Sequence, residues 1–222
     1  MDLKSKIILI SGPTASGKSK FAIKISKKIN GEIINADSMQ IYKEINILNA
    51  KPEKKNYNLV KHHLYGIHSV KKNFSSGQWL NLVKTKISEI RKKNKIPVIV
   101  GGTGLYFKIL TDGLVKIPRI PKKFRVGLTK IHNKIGQKKF YKELIKIDKL
   151  AKVKINKNDV QRTIRAYEVK KFTGKSMFDW YKDTKSKFDK NSFIKILIDF
   201  PRADLIDQIE KRTNKMIRVG GI

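Results

Sequence analysis

Residues 12–19 read GPTASGKS, and residue types at this spacing hold phosphates. Gly12 and Gly17 let the main chain wrap close to phosphate oxygens, with Pro13, Thr14, Ala15 and Ser16 completing the loop and the amides of residues 14–19 pointing inward. A helix N-terminus directly after such a loop adds its partial positive charge. Lys18 would bridge terminal phosphate oxygens, and Ser19 would ligate Mg2+. The stretch therefore reads as a diphosphate or triphosphate site. A second set of reactive types stands at the ends of two other apolar runs: Asp37, Ser38, Met39 and Gln40 in NADSMQ, and Thr103 in GGTGLY. Kinases and NTPases with this loop usually add a Mg2+-binding carboxylate from a second strand. The run ending in GGTG has none, and the acid lies instead at Asp37. The plain alternatives are that Asp37 and Thr103 each cap a following helix and that Gln40 is a surface residue.

For these groups to meet, the apolar runs must be parallel strands whose carboxyl ends open on one crevice. The pattern supports this. KIILISG (6–12) reads as a buried strand, followed by a helix from Gly17 to Ile29 with Phe21, Ala22, Ile25 and Ile29 at helical spacing. GEIINADS (31–38) is a second strand, HHLYGI (62–67) a short extended piece, and residues 75–94 a helix with Trp79, Leu82, Val83, Ile87 and Ile90 on one face. IPVIVGG (96–102) is a third strand, and residues 103–114 a helix closing at Gly113. Alternating strands and helices imply a parallel sheet of the α/β class. From 117 to 190 only amphipathic helical stretches remain, after which FIKILIDF (193–200) reads as another buried strand and residues 202–219 as a last helix. The expected organisation is an α/β phosphate-loop core, residues 1–116 and 191–222, with an all-helical insertion at 117–190.

The chain of 222 residues carries 51 Lys+Arg against 18 Asp+Glu, a formal charge of +33. Either a polyanionic partner or a genome-wide drift towards lysine accounts for that total. The split decides which residues carry information. Lysines number 43 and arginines only eight, so each arginine marks a place where a planar, forked cation is useful. The 117–190 segment holds 23 basic and seven acidic residues, the densest positive charge in the chain. No cysteine is present, which rules out disulfides and thiolate chemistry and fits a cytoplasmic protein. No run of eighteen apolar residues is present to form a transmembrane helix.

Taken in order, GPTASGKS, IINADSMQIYKEINILNAKP (33–52), HHL (62–64), PVIVGGTGLYFK (97–108), NDVQRTIRAYEV (158–169) and PRADLIDQIEKRTNKM (201–216) resemble the tRNA dimethylallyltransferases, also called tRNA isopentenyltransferases. The resemblance spans essentially the whole chain. It implies transfer of a dimethylallyl group from dimethylallyl diphosphate to N6 of the adenine 3′-adjacent to the anticodon of tRNA, with release of pyrophosphate. The donor's diphosphate would occupy residues 12–19, assisted by Mg2+ and by Arg212. Asp37 and Thr103 would serve the reacting amine, and residues 37–40 would read the adenine once it has left its stack. The resemblance also sets Arg125, Gln161, Arg162, Thr163, Ile164 and Arg165 against the anticodon stem-loop. The plain alternative for each arginine is a salt bridge to the α/β core or a solvated face, and Asp159 reads as the cap of the QRTIR helix.

Two departures from the family pattern stand out. Asp148 is followed by Lys149 where the family usually has Asp-Pro, and family chains continue with several more helices where this sequence reads RVGGI. A shortened enzyme acting as a monomer is the resulting expectation. The competing expectations are an ATP-binding kinase of small molecules or nucleotides, and a non-catalytic RNA-binding remnant.

Overall fold

The computed structural model describes residues 3–221 and divides into two compact units, Met1–Gly113 with Ser186–Ile222, and Leu114–Lys185. Both boundaries fall a few residues ahead of the change of pattern read from the sequence. In the first unit, five parallel strands form a sheet in the order β3-β2-β4-β1-β5. These are β1 (Ile7–Ser11), β2 (Gly31–Asn35), β3 (His62–His63), β4 (Ile96–Gly101) and β5 (Phe193–Leu197). Helices α1 (Lys18–Lys28), α2 (Lys54–Leu59), α3 (Ser76–Lys92), α4 (Gly104–Thr111) and α9 (Arg202–Arg218) belong to the same unit. Helix α2 falls in a stretch that carried no helical reading.

Because successive strand residues point to opposite faces, β1 divides its side chains between two cores. Ile7 and Leu9 join Ile34, Ile99 and the α3–α4 residues Trp79, Val83, Ile87 and Leu110 on one side. Ile8 and Ile10 join Ile33, Val98, Val100 and Ala22 of α1 on the other. Helix α3 starts where Ser75 and Gln78 form a reciprocal capping box, which aims Trp79 into the core from the first turn. Trp79 is fully buried and stacks on Tyr106 with ring centroids 4.2 Å apart. Truncating it to alanine would cost about 3–5 kcal/mol.

The register aligns the strand ends that matter. Ser11 of β1 pairs with Gly101 of β4, and Asn35 of β2 with Val100. The loops after β1, β2 and β4 therefore leave the sheet at one level. The strand at 193–197 corrects an expectation: it is an edge strand with a half-exposed pattern, Leu197 being 71% exposed, and not a buried one. Its apolar run covers only one face of the sheet margin, and hydropathy alone does not distinguish that from full burial.

The second unit is helical: α5 (Lys122–Ile147), α6 (Lys149–Lys154), α7 (Val160–Thr173) and α8 (Met177–Lys182). Helix α5 is interrupted at Gly136, whose φ of 77° departs from helical geometry without the steric cost of a Cβ. Leu144, Ala151, Ile155, Ala166, Val169 and Met177 form its core. Asp148, at the family's Asp-Pro position, is buried; it caps α6 by accepting the Leu150 N–H and accepts the Ser176 hydroxyl at 2.8 Å. Among the described residues no helix is long and apolar enough to cross a membrane.

Candidate active site

The loop after β1 turns twice through left-handed conformations, at Ala15 (φ 62°) and Gly17 (φ 77°), before α1 begins at Lys18. Such a path points successive amides to one side and suits an anion. Gly12 is required by close packing, since a Cβ there would meet the Ile198 carbonyl at 2.9 Å and Ser16 Oγ at 3.0 Å. The Lys18 ammonium donates to the Pro13 carbonyl across its own loop at 2.8 Å. Ser16 Oγ is buried without a protein partner, an orphaned hydroxyl inside a phosphate-shaped turn.

A pocket of about 580 Å³ opens over this loop. Residues 14–19 line it together with Asp37, Met39, Gln40 and, from α9, Arg212. Burial pushes the Lys18 ammonium below its usual value; Asp37 opposes that shift and Arg212 adds to it, so the three charges act on one another. Lys20 also lines the pocket, and three cations against one carboxylate around a phosphate loop leave room for anionic oxygens. Ser19 lines the pocket with a hydroxyl, a hard oxygen donor of the kind Mg2+ accepts beside phosphate oxygens. Among the described residues no cluster of three His, Cys, Asp or Glu side chains forms a metal cage. The residues present therefore fit a Mg2+ ion shared with a bound diphosphate.

No helix follows Asp37, so capping does not explain it. Its Oδ1 accepts the Met39 N–H at 2.9 Å, closing a tight turn, and Oδ2 has no hydrogen-bond partner among the described residues. Thr103 occupies the N-cap position of α4 but makes no side-chain cap. Instead its hydroxyl accepts the Ser38 N–H at 2.9 Å and lies 3.3 Å from Ser38 Oγ, tying the ends of β2 and β4 together. Ser38 and Thr103 thus stand behind Asp37 rather than along the pocket wall. Gln40 is not a free surface residue: its amide donates to the carbonyls of Asn49 and Ala50 at 2.9 and 3.0 Å, leaving only its oxygen to meet a ligand. Asn49 returns a bond to the Met39 carbonyl.

Leu48, Asn49, Ala50, Tyr65, Phe200 and Gln208 also line the pocket and were not singled out from the sequence. Gln208 precedes Arg212 by four residues and so shares its helix face, a signal that the spacing did offer. The ILNA stretch at 47–50 of the chain carries no such signal.

In the helical unit, Glu168 is fully buried and gathers two of the expected RNA-facing arginines. Arg125 donates to both its oxygens, at 2.7 and 3.0 Å, and Arg165 donates at 2.6 Å. The salt-bridge alternative holds for these two, although the partner lies within the helical unit and not in the α/β core. Arg162 is 72% exposed and lies 3.2 Å from Asp159, which also caps α7 by accepting the Arg162 N–H. Thr163 corrects another expectation: it is fully buried, its hydroxyl donating to the Asp159 carbonyl and accepting from Gln137, so it faces the unit's interior and not an RNA. It falls on the opposite side of the helix from its exposed neighbours Gln161 and Arg162, while Ile164 is half-buried.

A family model described as IPP transferase matches residues 40–222. The chain belongs to the IPP transferase family. The tRNA dimethylallyltransferase of Pelagibacter ubique is 57% identical over all of this chain, which spans 71% of that protein. That of Rickettsia felis is 41% identical over 99% of the chain and 71% of its own length. Among solved structures, a eukaryotic dimethylallyltransferase described as acting on tRNA superposes with a TM-score of 0.81 at 28% identity, covering 97% of this chain and 54% of its own. The tRNA isopentenylpyrophosphate transferase of Bacillus halodurans gives 0.62 at 32% identity, over 97% and 67%. The sheet and its flanking helices are thus the P-loop NTPase-like fold of the IPP transferases.

Proposed function

We propose that the chain prenylates tRNA, moving a dimethylallyl group from dimethylallyl diphosphate to N6 of the adenine 3′-adjacent to the anticodon. The observation that carries this reading is the shared pocket of a phosphate loop, Arg212 and an Asp37 whose Oδ2 has no hydrogen-bond partner among the described residues. In the reaction the allylic C1–O bond breaks, a C1–N6 bond forms, and the N6 proton passes to Asp37. Pyrophosphate leaves.

An adenine amine is a weak nucleophile because its lone pair is shared with the ring, so a base positioned at the proton raises the rate. The loop amides, Lys18 and Arg212 hold the charge that grows on the departing diphosphate. The Ser19 hydroxyl would help hold Mg2+ beside the diphosphate, and the ion would supply further charge neutralisation. Thr103, bonded to Ser38, steadies the turn that carries Asp37 from behind. The Gln40 side-chain oxygen, without a hydrogen-bond partner among the described residues, suits a flipped purine edge. Basic density in the helical unit, with Arg162 the most exposed of its matched arginines, suits stem-loop phosphates.

Neither the kinase nor the binding remnant is favoured, since the family is a transferase family and β4 ends at Gly101 and is followed by Gly102-Thr103, without a carboxylate. The test is incubation with labelled dimethylallyl diphosphate and an anticodon stem-loop. Label in the RNA, lost in Asp37→Ala, is the expected result. ATP-dependent phosphorylation of a metabolite with no label in RNA would overturn it.

A further inference from the structure

Asn35, the last residue of β2, is fully buried, and each polar atom of its side chain is spoken for. Its Oδ1 accepts the Asp37 N–H at 2.8 Å. Its Nδ2 donates to the Asp37 carbonyl at 3.0 Å and to the Leu64 carbonyl at 3.1 Å. One amide therefore grips both main-chain groups of Asp37 and ties them to the segment after β3. Its own carbonyl accepts the Trp79 indole N–H at 2.9 Å, and that ring is locked by its stack on Tyr106.

The chemistry demanded at this position is narrow. It needs one acceptor and two donors on a short side chain, which an amide supplies. An aspartate would turn a carboxylate oxygen on two carbonyls; a leucine of similar size would leave three main-chain groups unpaired in the interior. The neighbouring backbone is equally constrained. Ala36 donates to the Val100 carbonyl at 2.7 Å, Thr103 donates to the Ala36 carbonyl at 3.2 Å, and a Cβ on Gly101 would run into Ala36.

We propose that Asn35 is a positioning residue for the transfer reaction: through its amide it sets where the Asp37 carboxylate stands over the phosphate loop. Asn35 touches neither donor nor acceptor, and it lies outside the residues lining the pocket. The inference rests on the reading of Asp37 as the base. Its strength is that the same amide holds Asp37 from both sides of the peptide, so losing it frees the turn while leaving the phosphate loop, on β1 and α1, intact.

The experiment compares Asn35→Asp, Asn35→Leu and Asp37→Asn variants of the chain with the original. Two quantities are read: affinity for labelled dimethylallyl diphosphate, and the single-turnover rate of label transfer to an anticodon stem-loop. A misplaced base lowers the rate by roughly 100-fold in both Asn35 variants, while diphosphate affinity stays within about threefold, a split that loss of the fold would not give. Parallel loss of rate and affinity in both variants would overturn the inference, because it marks a general structural role. Near-original rates in the Asn35 variants beside an inert Asp37→Asn would overturn it too, leaving the base assignment standing. Full transfer by Asp37→Asn would instead sink the base assignment, and the positioning role with it.

Discussion

Around Asp37 the polar partners are neutral: an amide, a hydroxyl and main-chain groups hold the turn, and one carboxylate oxygen is left with no hydrogen-bond partner among the described residues. Around Glu168 they are charged: a buried carboxylate is saturated by Arg125 and Arg165. The first arrangement preserves reactivity at an acid, because oriented neutral dipoles fix its position without consuming its charge. The second spends the acid on architecture. It fastens α5 to α7 and fixes the direction of two guanidinium groups, whose remaining N–H groups can still meet phosphate. Two family motifs, one carrying Asp37 and the other Glu168, therefore do not tell which acid is chemical; the surrounding donors do.

The comparison breaks first at Asp37. Asp37→Asn keeps the size and the Met39 contact but removes the base, and single-turnover transfer should fall about 1,000-fold, as loss of a general base typically does. A residual rate near the original would make the two acids alike. Next comes Glu168. Glu168→Ala removes a buried acceptor of two charged donors, and urea unfolding should report a loss of about 2 kcal/mol, with diphosphate binding unchanged. If stability held while transfer failed, Glu168 would belong to the chemistry after all. Arg162→Ala sharpens the helical side alone: stem-loop affinity should fall a few-fold, with the salt slope of binding flatter by about 1. An unaltered slope would deny it a phosphate contact.

The smallest effect expected concerns another buried acid, Glu32, which pairs with His63 at 2.7 Å and Lys95 at 3.0 Å. Burial alone would raise its carboxyl, but hydrogen bonds from His63 and Lys95 outweigh that and hold it below the usual range. Burial likewise holds the His63 imidazole below its usual value, against the pull of Glu32, so His63 is the neutral donor. In both cases the unfolded chain binds the proton more readily. The stabilisation is therefore complete above the ordinary histidine value of about 6.5 and declines as pH falls through the lowered folded values. Urea midpoints measured across that range should fall on acidification, and Glu32→Gln should flatten the carboxylate part of the fall. A midpoint that rose towards acid would reverse the sign of this account.

Much of the α/β unit is legible in the sequence because its signals are local. GPTASGKS is a contiguous motif, and strand-length apolar runs ending in NADS and GGTG place Asp37 and Thr103 at one edge. Other features depend on partners distant in the chain. Asn35 meets Leu64, Thr103 meets Ser38 from 65 residues away, and Arg125 meets Glu168 across 43. No periodicity encodes those pairings. Thr163 was grouped with exposed neighbours because a contiguous motif was treated as a contiguous surface, whereas one helical turn presents both a buried and an exposed side. The edge position of β5 was hidden for a related reason: FIKIL is apolar enough for a central strand, and only the sheet order reveals that one side has no neighbour.

The central claim is that the loop at 12–19 holds phosphates that are discarded, neither hydrolysed nor passed on. Following the phosphorus by 31P NMR tests it most directly, in a mixture of the chain, dimethylallyl diphosphate, Mg2+, ATP and an anticodon stem-loop. Inorganic pyrophosphate should accumulate one for one with prenylated adenine, with ATP left intact. ADP formed with a phosphorylated acceptor, or pyrophosphate released without prenylated RNA, would contradict it.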